Sequence, residues 1–480
     1  MYRLMWNETV QIIFKGVVKC MHGYVISIEE SCKYPFRFKN GTITIYNRDA
    51  ILVDNTDKYK INFKCEVNYL VAEDIDTNKT LIFFVSDIPF TSDSWNWVSS
   101  ESIRVYYYLE LKYPLHNFLF NKLVFEFPEL NFFYPVINGF KSEHNESSIF
   151  TVEPIPFQQT KQIYKFKLNG ESVDLEFGVL GVYHFRSSAP LTFSSQLSCS
   201  FRETNSIGVL INIYQMIQRL FYFLCHRRSI RFESVKVKCI DNNGKYTLGE
   251  LYVLFDNKET EDEDVVKETI RIDYVKSHLN QLIQHVANDS LYIDNIPRDS
   301  ESAHHITTAS FILEAAAFEW SFKKLYGAVK PSEYRLAVKQ DLLKSLDELK
   351  CKTEYNSKKK GEVKYYSKII KNTERSFSEK VLYALREFDD ILSAFIQRVY
   401  KYNNLTYDKK SYNKIADELQ NYRNAFAHGD IDKEMKGEFI LDTIILEWLN
   451  YCIVLKTVGY DNDEIFNIIN IIFDRKFTDR

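Results

Sequence analysis

Two periods of apolar residues divide this chain. Around Asn169-Gly170 the apolar positions alternate with charged ones: Tyr164, Phe166 and Leu168 lead into the pair, and Val173, Leu175 and Phe177 lead out of it. A period of two gives a strand one apolar and one wet face, and Asn-Gly tolerates the positive φ angles of a tight turn, so this stretch predicts a β-hairpin. The same pattern predicts hairpins over residues 36–46 and 232–255, and further Asn-Gly pairs stand at 40–41, 138–139 and 243–244, with none after residue 244. One helical pattern interrupts this half. Over 205–228, Ile207, Leu210, Ile211, Tyr214, Ile217, Phe221 and Leu224 recur at steps of three and four.

The period changes after residues 257–267, where Glu-Thr-Glu-Asp-Glu-Asp is too charged to pack and reads as a solvated linker. Beyond it the spacing predicts helices over 265–287 and 302–326, another opened by the capping box Ser376-x-x-Glu379, then helices over 411–427 and 433–457 and a short one from 461. Residues 352–362, with Lys358-Lys359-Lys360, read as a solvated loop between helices, which outweighs a nucleic-acid role. The expected fold class is therefore α+β multidomain, an antiparallel β-rich N-terminal domain followed by an all-α bundle. The expected divisions are 1–195 for the β-rich domain, 196–264 for its helix-plus-hairpin extension, and 265–480 for the helical domain, with a core at 300–480.

Composition sharpens this picture in a few places. The 480 residues include 36 Phe and 32 Tyr, which suit half-buried sheet faces, and only 15 Gly and 10 Pro, which argues against low-complexity disorder. Net charge is −4, so any nucleic-acid binding must come from a local patch. The eight cysteines include no CxxC pair and read as reduced thiols. The N-terminus lacks the apolar core of a signal peptide, and the longest apolar run, 209–225, carries Asn212, Gln215 and Arg219; both point to a cytoplasmic protein that does not span a membrane. The chain has no G-x-x-x-x-G-K-[ST], G-x-G-x-x-G or G-x-S-x-G, which removes support for NTPase, dinucleotide-binding and α/β-hydrolase readings. His278 with His285, and His304 with His305, have no Cys or carboxylate at zinc-ligand spacing, so neither a metal nor another cofactor is expected.

The candidate chemistry lies at residues 421–429, Asn-Tyr-Arg-Asn-Ala-Phe-Ala-His-Gly. Gly429 is placed to be a left-handed helix cap, which puts His428 in the last turn, where the helix dipole favours its protonated form. Asn424 lies about one turn before His428, whereas Arg423 is offset from it by about 140° around an ideal helix. A second helix or a second subunit must complete such a site. An Arg followed by His after four to six residues also occurs at Arg219–His226, Arg271–His278 and Arg298 with His304 or His305. Only Arg423 is followed by Asn, only His428 is followed by Gly, and only this match lies between predicted bundle helices. A smaller basic cluster, Arg227, Arg228 and Arg231 beside His226, is a candidate for RNA phosphate, with capping of the preceding helix as the more favoured role.

On residues 421–429, and on the order of the β-rich and helical parts, the chain resembles the HEPN superfamily, and within it the Apea-like group of prokaryotic anti-phage proteins, in which an ApeA N-terminal domain precedes the bundle. The resemblance implies an endoribonuclease with catalytic Arg423, Asn424 and His428. It also implies an acidic residue on an early helix facing the site; in Leu313-Glu314-Ala315-Ala316-Ala317-Phe318-Glu319-Trp320 this is Glu319, with Glu314 equally available. The residues permit metal-independent cleavage: a base takes the ribose 2′-hydroxyl proton, the hydroxyl attacks the adjacent phosphate, and a cation neutralises the growing charge. His428 serves as that base or as the acid for the leaving oxygen. The implied partners are an RNA substrate such as tRNA, a second copy of the chain and a phage-derived trigger, and the implied context is a toxic, abortive-infection response. The alternative from another class is a non-catalytic dimerisation or nucleotide-binding bundle with a sensor N-terminal domain.

Overall fold

Tight turns appear where the alternating segments meet. In the computed structural model, Asn40 and Asn169 adopt φ of 52° and 54°, and Gly41 and Gly170 follow at 72° and 88°. Two successive positive φ angles are what a two-residue hairpin loop needs. The structure describes residues 21–26, 33–46, 59–61, 65–85, 91–95, 98–112, 118–144, 150–183, 191–230, 232, 234–241, 244–254, 263–266, 268–327, 333–372, 375–408, 410–430 and 432–473. The hairpins are Lys33–Lys39 with Thr42–Tyr46, Gln162–Leu168 with Glu171–Tyr183, and Ser234–Asp241 with Gly244–Val253. Asn138-Gly139 differs, because it closes a 3₁₀ turn, Val136–Gly139. A Cβ on Gly139 would stand 2.7 Å from Cγ1 of Val179, so this glycine serves close packing against a strand instead of a hairpin turn.

Two compact units emerge, 1–290 with 296–303, and 291–295 with 304–480. In the first, fourteen strands among the described residues join one antiparallel sheet. Six of them, Met21–Ile26, Lys33–Lys39, Thr42–Tyr46, Val98–Leu111, Thr80–Val85 and Cys65–Asp74, pair in a ring that closes on itself. Closure removes open edges, and Phe36, Phe38, Ile43, Leu81, Phe83 and Ile103 fill the interior. Val98–Leu111 also pairs outward with Gly244–Val253 and carries the sheet beyond the ring. Helices α1 (Pro128–Phe133) and α2 (Ile207–Cys225) pack on that extension, with Phe221 of α2 edge-on to Phe127 and Phe133 at 4.6 and 5.4 Å. Among the described helices only α2 is long and apolar enough to cross a membrane; here it is largely buried within the unit.

The segment expected to be one helix over 265–287 is instead α3 (Glu263–Val266), α4 (Ile272–Val275) and α5 (Leu279–Ala287), and it groups with the β-rich unit up to residue 290, as does the short α6 (Ser300–Ala303). Its apolar stripe has a partner there. Ile270 donates its N–H to the carbonyl of Leu224 in α2, and the Gln284 side chain exchanges hydrogen bonds of 2.8 and 2.9 Å with the Lys167 backbone, covering the edge of strand Gln162–Leu168.

The second unit is helical: α7 (Thr308–Tyr326), α8 (Glu333–Cys351), α9 (Ser357–Asn372), α10 (Phe377–Glu387), α11 (Asp389–Tyr402), α12 (Ser411–Ala427), α13 (Gly437–Val458) and α14 (Asn462–Phe473). α7 starts later than the sequence suggests because Thr307 and Ser310 form a capping box; Ser376 and Glu379 form the expected one at α10. Helix α9 replaces most of the loop expected over 352–362. The core centres on α13, with Leu446, Leu449 and Ile453 fully buried and Phe439 stacked 3.7 Å from Tyr422 of α12.

These boundaries predict how the chain can be cut. Residues 291–480 should be soluble and unfold cooperatively, whereas 265–480 should aggregate, because Ile272, Leu279, Leu282 and Ile283 lose the unit that buries them. A fragment starting at 304 loses Asn295, a hydrogen-bond donor to buried Glu314, and should be less stable than 291–480 by about 1–3 kcal/mol in urea denaturation.

Candidate active site

The end of α12 is built by its own sequence. Gly429 adopts φ +90°, its N–H bonds the carbonyl of Phe426 at 3.1 Å, and the Asp430 N–H reaches back to Ala425 at 3.0 Å. This is the Schellman pattern, and a Cβ at residue 429 would be strained. His428 is therefore the last residue before the chain turns away. It is exposed, and its imidazole hydrogen-bonds no described residue.

Arg423 lies about 1.4 turns earlier, roughly 7.5 Å along the helix axis. Its Nη2 donates to Oε2 of Glu319 at 3.1 Å, while the Lys380 Nζ donates to Oε1 of the same carboxylate at 3.0 Å. One carboxylate from α7 thus gathers a guanidinium from α12 and an ammonium from α10. Aromatic packing fixes the three helices: Phe318 lies edge-on to Phe377 of α10 at 5.5 Å, and Phe311 edge-on to Phe426 of α12 at 5.9 Å. The cluster is half-open to solvent, with side-chain exposures of 41% for Arg423, 30% for Glu319 and 16% for Lys380. Two cations on one anion leave the group with net positive charge, suited to a further anion.

Asn424 is exposed and joins the same region through a relay. The Ser378 N–H, in the first turn of α10, donates to Gln420 Oε1 at 3.1 Å, and Gln420 Nε2 donates to Asn424 Oδ1 at 2.7 Å. Of the residues expected to carry chemistry, Arg423 and Glu319 are in direct contact, while the side chains of Asn424 and His428, on the same helix, hydrogen-bond to neither. Lys380 and Gln420 were not anticipated. The signal for Lys380 was its place directly after the capping-box Glu379.

Of the basic cluster after α2, Arg227 is turned inward and away from any RNA surface. Arg227 is buried, pairs with buried Glu129 of α1 at 2.9 Å and bonds the carbonyl of Val265 at 3.0 Å, so it stitches three elements together inside the first unit. Arg228 is half-buried with an unpartnered Nε, and Arg231 lies outside the described residues. Among the described residues no group of three or more His, Cys, Asp or Glu could hold a metal ion. A cleft of about 560 Å³ lies against α12, but Lys414, Glu418, Asn421 and Lys433 line it, on the face away from Arg423.

Residues 315–464 match the family model of the Apea-like HEPN domains. That span runs from α7, with Glu319, through α10 with Lys380 and α12 with Arg423 and His428, into α14. No curated protein and no solved structure matches the chain significantly.

The alternative acid, Glu314, sits five residues before Glu319 and so about 140° around α7. It is buried, and its two oxygens accept from Asn295 at 2.8 Å and Asn450 of α13 at 3.1 Å. Burial, with the Glu447 charge nearby, pushes its carboxyl up to about 8. Burial and the Glu418 charge do the same to Asp442, also to about 8. A carboxyl whose folded pKa is raised stabilises the fold in its protonated form, so that contribution is complete in acid and is lost as pH rises through about 8. Glu314→Gln should therefore flatten the fall in stability between about pH 5 and 8. The variant should be about 1–3 kcal/mol more stable than the parent above pH 8, because its amide can donate to Oδ1 of Asn295 or Asn450, both unpartnered, and the advantage should vanish towards pH 5, as read by denaturant titrations across pH.

Proposed function

We propose that this chain, whose residues 315–464 form an Apea-like HEPN domain, is a metal-independent endoribonuclease of a bacterial anti-phage system. The observation that carries the reading is the convergence of Arg423 and Lys380 on Glu319, at the surface of the helix that ends in exposed His428. A phosphodiester entering there meets two cations already held in place, so little reorganisation is needed as charge grows on the non-bridging oxygens. Glu319 orients both cations and keeps them from scattering by mutual repulsion.

RNA supplies its own nucleophile. A base takes the 2′-hydroxyl proton, the 2′-oxygen bonds to phosphorus, the P–O5′ bond breaks, and an acid protonates the leaving oxygen. The products are a 2′,3′-cyclic phosphate and a 5′-hydroxyl, with no net change in water or electrons. His428 is one of the two proton-transfer groups. Because one helix sets Arg423 and His428 about 140° apart, the reading includes a homodimer in which the second copy supplies the facing His428. Asn424 orients the phosphate or that histidine. Structured RNA such as tRNA fits as substrate, since its unpaired loops can reach the in-line geometry that helical RNA resists, and a phage-derived trigger acting through the β-rich unit fits as the regulator.

His428→Ala should lower the cleavage rate by roughly 10²–10⁴ and Arg423→Ala by roughly 10²–10³, with circular dichroism unchanged. Cleavage should persist in excess EDTA, spare DNA and leave cyclic-phosphate ends. Full activity in His428→Ala, or loss of all cleavage on chelation, would sink the proposal.

A further inference from the structure

Helix α9 carries six lysines against one acid, Glu362, in a chain whose net charge is −4. Lys360, Lys364, Lys368 and Lys371 fall within an arc of about 80° on an ideal helix, with Glu362 on the opposite face. The four form a stripe about 16 Å long at the helical rise of 1.5 Å per residue. Lys364, Lys368 and Lys371 are exposed, and none of the four is ion-paired with a described residue. The stripe's charge is thus left for something outside the unit.

The packing of α9 leaves that side open. α9 pairs mainly with α8 through a narrow seam, where Val363 is its one buried side chain among the described residues and Leu343, Leu346 and Leu349 of α8 are half-buried. Beside the stripe, Tyr365 is 59% exposed. A row of cations at four-residue steps, bordered by an exposed aromatic face, matches the phosphates of one nucleic-acid strand with a base free to stack. The lysines follow each other at about 6 Å along the axis, close to the step between consecutive phosphates.

We infer that the α8–α9 hairpin is an RNA-docking arm, in which Lys360, Lys364, Lys368 and Lys371 track the backbone and Tyr365 stacks on a base. This rests on the ribonuclease reading for its choice of RNA, and it adds a binding surface separate from Glu319, Lys380 and Arg423. Charge complementarity selects the occupant: an anionic polymer neutralises a linear stripe, whereas a second copy of this lysine-rich hairpin face would bring like charges together.

The test uses the full chain with His428→Ala, so that bound RNA survives, and a fluorescent oligo-uridine as probe. K364Q/K368Q/K371Q should weaken binding about 10- to 100-fold near 0.1 M salt and lower the slope of log affinity against log salt by about 2, at about 0.7 per lost phosphate contact on a single strand. K364R/K368R/K371R should bind as the parent does. A control with the same charge change on exposed lysines of the β-rich unit, K39Q/K165Q/K276Q, should bind within about twofold. Equal weakening by the control, or an unchanged salt slope in the stripe variant, would overturn the inference, as would a stripe variant that loses only self-association or binding to anionic lipid vesicles. Failure of the ribonuclease reading shows separately, as absence of cleavage by the parent chain whatever the stripe variant binds.

Discussion

The carboxylate of Glu319 is the contact on which the candidate site depends. It takes a hydrogen bond from Arg423 on one oxygen and from Lys380 on the other, so three helices, distant in sequence, meet at a single group. Each ion pair alone is half-exposed and would contribute little to stability. Their joint effect is positional. Two cations held this close repel unless an anion lies between them, and the carboxylate fixes both at hydrogen-bond distance before any substrate arrives. The aromatic contacts of Phe318 and Phe311 with α10 and α12 supply the rigid frame that makes this geometry the resting one.

The same helix shows how environment assigns different work to one residue type. Glu314 and Glu319 differ by five positions, which turns one towards Asn295 and Asn450 in the core and the other towards the two cations at the surface. The buried acid is held near neutrality in charge and serves the fold; the surface acid stays beside cations and organises the site. Sequence offers no way to rank them, because the partners of both come from other segments.

Much else was legible, and for identifiable reasons. α12 appears over the expected residues because its apolar period and its glycine stop are both local signals, and α10 starts at its capping box. The break at Phe388 between α10 and α11 and the division of 265–287 into three helices were not legible, since they depend on which surfaces the apolar stripes find. Arg227 looked like a surface cation beside two others, and only the tertiary fold brings Glu129, almost a hundred residues away, to bury it. α9 has no apolar period to mark it, because its helical repeat is written in lysines, with Val363 and Ile370 as the thin apolar seam. α8 is as weakly marked, its seam being Leu343, Leu346 and Leu349.

The hairpin's place in the chain ties these observations together. α8 and α9 lie between α7, which carries Glu319, and α10, which carries Lys380. A hairpin that added only length between two site-forming helices would raise the cost of closing that loop, though only slowly with length. It would also keep several apolar side chains in water, among them Tyr334, Val338 and Tyr365, with no burial to offset the exposure. The seam with α8 is enough to hold the pair as helices and too narrow to cover their outer faces. Such an element adds little to the buried core, with Val363 its one buried side chain on α9 among the described residues. A linear row of cations not ion-paired with any described residue on that face, in a unit whose candidate site also gathers cations around a single carboxylate, gives the unit two positively charged features.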